Sequence, residues 1–250
     1  MNAIGGQLEK YSVTYRTIDE RLRAEKGFPW VFALVLDCAI GIGVAHLLKG
    51  LDLYEIVWPF VDARIGQLDE VITWLLSNPV GLKLNEPLNT ALASFFRYHI
   101  YLWHTFVRML RVPAIWANLP LALYAGISFA AALFADLVSI FSMHIVCFYI
   151  YALRLFLLTF TSLGSLWRAF RGQKYNPLRK RVDTAHLDSR QLFLATLLFV
   201  VLLFLAPTVT VYCFVFSMLR WVVRGFQLAI ERVAELQCYV HMILDRFRSE

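Results

Sequence analysis

Residues 114–167 read AIWANLPLALYAGISFAAALFADLVSIFSMHIVCFYIYALRLFLLTFTSLGSLW, and within these 54 positions only Asp136 and Arg154 are acidic or strongly basic. A helix needs roughly 20 apolar residues to cross a hydrocarbon core of about 30 Å. The tract is therefore too long for one crossing, and the reading divides it into two spans joined tightly near Asp136. The bilayer, not water, is the solvent this stretch is written for. Composition agrees across all 250 residues, with 59% hydrophobic and 17% charged side chains and a mean hydropathy of +0.60. Soluble domains carry roughly 45–50% apolar and about 25% charged residues. A soluble enzyme, a disordered tail and a disulfide-stapled secreted module are excluded.

Toward the N-terminus, Leu88 to Leu110 is again apolar but carries a polar stripe. Arg97, Tyr101, His104, Arg108 and Arg111 follow one another at spacings of 4, 3, 4 and 3, which places them along one helical face. Residues 50–78 repeat apolar positions at three-four spacing, from Leu53 and Ile56 to Ile72 and Leu75, against Asp52, Glu55, Asp62, Arg64, Asp69 and Glu70. That pattern predicts an amphipathic interfacial helix, too charged to span. Phe28 to Leu48 is interrupted only by Asp37 and reads as a span, with Gly41 and Gly43 permitting close approach of another helix. Residues 1–27 hold five basic and four acidic side chains and no early apolar core, so they read as a short cytosolic segment and not as a signal peptide.

Toward the C-terminus, residues 168–190 form a basic connector in which seven Lys and Arg face only Asp183 and Asp188. Gln191 to Leu219 is a long apolar run broken by Pro207, either one kinked span or a re-entrant pair of short helices. An amphipathic helix is expected over 220–248. The expected architecture is all-α and polytopic, with about five or six membrane-embedded helices plus interfacial ones. Its divisions are 1–27, a membrane domain over 28–219, and a C-terminal segment over 220–250.

The net charge of +6 sits mostly beside apolar runs, where it sets topology and meets anionic headgroups; nucleic acid is not the expected partner. With the N-terminus cytosolic, the acidic segment 50–90 falls outside, and the Arg108/Arg111 turn and the basic connector fall inside. The four cysteines, Cys38, Cys147, Cys213 and Cys238, show no C-x-x-C spacing and read as small core residues.

Three groups of residues are candidates for function. Arg97, His104 and Arg108 either bind an anionic headgroup, or snorkel to opposite interfaces with His104 bonded between helices. Asp37 and Asp136, with His144 and Arg154 as possible partners, either line an ion pathway or form structural pairs. The connector either binds an inositol phospholipid or a nucleotide-sugar pyrophosphate, or serves as a topogenic or partner-docking loop. For a nucleotide site it offers only Gly172 and no strand. His99 and His104 do not make a zinc motif, and no nucleophile elbow is present, so neither a catalytic centre nor a metal or other cofactor is expected.

One distinctive block is Gly81-Leu82-Lys83-Leu84-Asn85 with Phe95-Phe96-Arg97-Tyr98-His99-Ile100-Tyr101-Leu102-Trp103, and another runs from His144 to Tyr151 and on to Arg154-Leu155. The most specific is the polar connector, from Ser165-Leu166-Trp167-Arg168 through Arg171-Gly172-Gln173-Lys174-Tyr175-Asn176-Pro177-Leu178-Arg179 to Arg181-Val182-Asp183. Gln191-Leu192-Phe193, Thr196 to Phe199 and Leu205-Ala206-Pro207-Thr208 follow it. Over about residues 30–225 these stretches resemble the phosphatidylinositol N-acetylglucosaminyltransferase subunit Q family. The resemblance implies an endoplasmic-reticulum complex that transfers N-acetylglucosamine from UDP-N-acetylglucosamine to phosphatidylinositol on the cytosolic face. It implies a non-catalytic scaffold that holds the complex's C and H components together with its catalytic component, PIG-A. The connector, through Arg168, Arg171, Lys174, Asn176, Arg179 and Arg181, is then expected to dock a partner or hold phosphatidylinositol. A transporter or channel, or a stand-alone lipid-modifying enzyme, is the alternative class.

Overall fold

The computed structural model describes residues 12–23, 28–77, 79–81, 83–184 and 187–235. The helices are α1 (Val13–Arg23), α2 (Phe28–Leu47), α3 (Leu53–Leu76), α4 (Glu86–Met109), α5 (Pro113–Asn118), α6 (Ile127–Phe170) and α7 (Ser189–Ala234). Short 3₁₀ segments cover Pro79–Gly81 and Leu119–Ala125, and strands β1 (Gln173–Asn176) and β2 (Arg181–Thr184) pair as an antiparallel hairpin. The all-α expectation holds apart from that hairpin.

The expected five or six membrane-embedded helices are not confirmed among the described residues. Among the described residues three helices are long and apolar enough to span a membrane: α2 over Trp30–Leu47, α6 and α7. A fourth arises if α4 and Pro113–Ala125, bent by 64° at their junction, make one broken span. The difference has two sources. No break occurs near Asp136, because α6 runs unbroken for 44 residues, about 66 Å at roughly 1.5 Å per residue. The turn comes earlier, at Gly126, whose φ of 113° suits glycine. α7 likewise continues through Pro207 for 46 residues, so there is no re-entrant pair. The amphipathic stretch expected from residue 220 is the unbroken end of α7 as far as Ala234; residues 236–250 lie outside the described residues, as do 1–11 and 24–27 of the N-terminal segment.

The chain divides into two compact units whose segments interleave: Met1–Arg64, His104–Met143 and Trp221–Glu250 in one, Ile65–Trp103 and His144–Arg220 in the other. In the first unit α2 lies against the 3₁₀ segment so closely that a Cβ on Gly41 would stand 2.2 Å from the Leu123 carbonyl oxygen. Trp58 on α3 is buried against Trp116 and Phe141, with ring centroids 5.5 and 6.1 Å away. Gln227 on α7 donates to the hydroxyls of Ser139 and Ser142 on α6.

The core of the second unit is aromatic. Phe96 on α4 meets Phe148 on α6 and Tyr212 and Phe216 on α7, at 5.1, 5.7 and 4.5 Å. Ile72 and Leu75 of α3 complete it. Lipid tails are as apolar as these side chains, so the gain is close packing and internal hydrogen bonding. Asn89 supplies the latter, donating to the Leu75 carbonyl (3.1 Å) and accepting from the Tyr212 hydroxyl (2.7 Å). Asn85 caps α4 by accepting the Leu88 amide, while its own amide donates to the buried Thr208 hydroxyl beside Pro207.

Candidate functional site

Both intramembrane acids are helix caps. Asp37, 5% exposed, accepts the backbone amide and hydroxyl of Ser128 at 3.0 and 2.7 Å, at the N-terminal turn of α6. Its second oxygen receives Arg21 at 2.8 Å, and Arg21 also donates to the Ala125 carbonyl. Asp136 does the same for α1, accepting the amides of Val13 and Thr14 and the hydroxyl of Ser12. The first amides of a helix have no partner inside it and carry positive partial charge, so a carboxylate from elsewhere in the fold satisfies both needs. His144 and Arg154 are not the partners of these acids: the His144 ring packs on Trp103, tilted by 34° with centroids 3.8 Å apart. Sequence reasoning missed Arg21, whose only signal was its place before an apolar span holding one acid.

The stripe on α4 meets the acidic face of α3. In the second unit Arg97 donates to Asp69 (2.9 Å) and to the Thr73 hydroxyl (2.8 Å). In the first, Asp62 receives Arg111 at 3.3 Å and lies 3.9 Å from His104, while the Arg111 guanidinium sits 5.0 Å from the Trp58 ring centroid. Arg108 is exposed.

The basic connector is a structured hairpin, which corrects the expectation of a connector without a strand. Gly172, at φ 62°, ends α6 and turns the chain into β1. Asn176 holds the turn: its carboxamide oxygen accepts the amides of Leu178 and Arg179, and its nitrogen donates to Asp183. Arg181 also bonds Asp183, at 2.8 Å. The register Gln173↔Thr184, Lys174↔Asp183, Tyr175↔Val182, Asn176↔Arg181 puts the charged residues and Asn176 on one face, and Tyr175 with Val182 beside Gln173 and Thr184 on the other. Of the predicted residues, Arg168 bonds Ser165, and Arg171, Lys174 and Arg179 are exposed. The hairpin's sequence signal, alternating residues on both sides of Asn176-Pro177, is short and easily missed.

Among the described residues no three His, Cys, Asp or Glu side chains are grouped so as to hold a metal ion. The polar side chains named above cap helices, pair across α3 and α4, or stand outward on a basic hairpin. This is the character of a helical membrane protein whose candidate site is a surface. The match to a family model described as "N-acetylglucosaminyl transferase component (Gpi1)" covers residues 2–244, and the chain belongs to that family. It is 38% identical over 225 residues to the human phosphatidylinositol N-acetylglucosaminyltransferase subunit Q, covering 88% of this chain and 28% of that protein. The mouse protein of the same name is 37% identical over 223 residues, covering 87% and 37%. The Saccharomyces cerevisiae phosphatidylinositol N-acetylglucosaminyltransferase subunit GPI1 is 34% identical over 175 residues, covering 68% and 29%. The chain thus spans well under half the length of these relatives. No solved structure matches it.

Proposed function

We propose that this chain is a non-catalytic scaffold component of the membrane complex that transfers N-acetylglucosamine from UDP-N-acetylglucosamine to phosphatidylinositol, the first step of glycosylphosphatidylinositol-anchor synthesis. The names of its relatives support the complex. The observation that carries the scaffold role is how the polar groups are used. Asp37, Asp136, Asp62, Asp69, Arg21, Arg97 and Arg111 are engaged in caps and ion pairs between elements, where a transferase would need them converging on donor and acceptor.

In this reading the protein is a multi-pass protein of the endoplasmic-reticulum membrane, with residues 28–219 as its membrane domain. The catalytic component PIG-A and the C and H components are its partners, and phosphatidylinositol and other anionic lipids surround it. The basic connector faces the cytosol because Lys and Arg beside membrane spans favour that side. This orientation rests on the connector alone: with α6 read as one crossing, the Arg108/Arg111 turn before it does not fall on the connector's side, against the expectation that both lie inside. Arg168, Arg171, Lys174, Asn176, Arg179 and Arg181, with Arg97, His104 and Arg108 on α4, are the contacting residues for a partner or a headgroup.

The test is affinity purification in mild detergent from cells whose own copy has been removed. Co-elution of PIG-A with the C and H components, and no sugar transfer by the chain purified alone, is expected. Transfer by partner-free protein, or solute movement in liposomes containing it alone, overturns the reading.

A further inference from the structure

We infer that the β1–β2 hairpin is an anionic-membrane anchor, which seats Leu178 in the bilayer interface while the surrounding cations hold lipid phosphates. Leu178 is 93% exposed at the tip, the most exposed large hydrophobic residue among the described residues. Pro177 and the bonds from Asn176 to the next two amides fix the turn, so the leucine is presented by a rigid support. Tyr175 and Val182, each 49% exposed and directly opposite in register, add one apolar pair between the tip and the polar Gln173–Thr184 pair.

Charge surrounds this edge. Arg171, Lys174, Arg179, Lys180 and Arg181 face a single acid, Asp183, which is already bonded to Asn176 and Arg181. Arg179 and Lys180 flank the tip and are exposed. Their long stems lie along apolar surface while the cationic heads reach phosphates. The hairpin is also placed for this contact. It starts three residues after α6, whose exposed Trp167 belongs to a residue type concentrated at membrane interfaces. A protein partner would fit the apolar face, but the cation surplus selects a negatively charged layer.

The proposal rests on the membrane reading above and not on which chains co-purify, so the two fail separately. The full chain is placed in nanodiscs of phosphatidylcholine alone, or with phosphatidylserine or phosphatidylinositol added, and amide exchange across residues 173–184 is followed by mass spectrometry. Exchange is expected to slow equally with either anionic lipid and to recover at high salt. Arg179→Gln and Lys180→Gln should each remove about fivefold of the added protection, and Leu178→Asp should remove most of it while leaving co-purification of the partner proteins unchanged. Equal exchange in neutral and anionic discs overturns the proposal without any variant. So does a response to phosphatidylinositol alone, which marks a headgroup pocket, or protection that appears only with partner proteins bound, which marks a protein-docking face.

Discussion

The carboxylate of Asp37 on α2 accepts both the backbone amide and the hydroxyl of Ser128, at 3.0 and 2.7 Å, so an acid in an apolar span closes the first turn of a helix elsewhere in the chain. Arg21 neutralises the same carboxylate at 2.8 Å. Removing one member of a buried pair leaves the other uncompensated, at about 3–5 kcal/mol. Arg21→Met is therefore expected to lower stability by about that amount. Asp37→Asn keeps an oxygen for Ser128 but leaves Arg21 without its counter-charge, so it is expected to fall in the same range, about 3–5 kcal/mol. Unfolding midpoints in a denaturing-detergent titration measure both; a loss no larger than that of an exposed pair, about 1 kcal/mol, in either variant contradicts this account.

Gly126 is required twice over. Its φ is 113°, and a Cβ there would stand 2.0 Å from an oxygen of Asp37. Gly126→Ala should cost at least about 2 kcal/mol, through backbone strain and displacement of the cap. Gly43→Ala, where a Cβ meets nothing within 4 Å, should stay within about 0.5 kcal/mol. Thermal unfolding of the two variants in one detergent compares them directly.

Arg97 and Asp69 form an exposed pair, with side chains 43% and 54% accessible. A double-mutant cycle of Arg97→Leu and Asp69→Leu is expected to return a coupling of about 0.5–1 kcal/mol. No coupling would mean that Asp69 is not what holds Arg97.

Replacing Arg168, Arg171, Lys174 and Arg179 together by Gln should weaken recovery of the transferase complex or its activity, while membrane insertion persists. None of the four is bonded to an acid among the described residues, so the fold should survive. Full activity together with full co-purification refutes a contact role for the connector.

The class of fold was legible because apolar length and spacing report directly on the bilayer and on helices. α3 and α4 lie close to their expected limits for this reason: Asp52 and Asn85 cap their starts as local signals. The number of crossings was not legible. Asp136 looked like a break because a charge in an apolar run is costly, yet the remote amides of Val13 and Thr14 satisfy it. Residues 123 positions apart in sequence leave no periodic mark. The stripe from Arg97 to Arg111 was visible as a helical face, whereas its pairing with Asp62 and Asp69 depended on the packing of two helices. The hairpin escaped notice because four-residue strands are too short for alternation to stand out against a run of basic side chains.

The interleaved segments of the two units set an order of events during synthesis. Within these residues, the unit closed by Arg220 has all of its pieces before Trp221 is added, whereas the other waits for the stretch that starts at Trp221. Its segments before Arg64 are therefore made well ahead of the partners that complete them, an arrangement in which domain-by-domain folding cannot follow chain order.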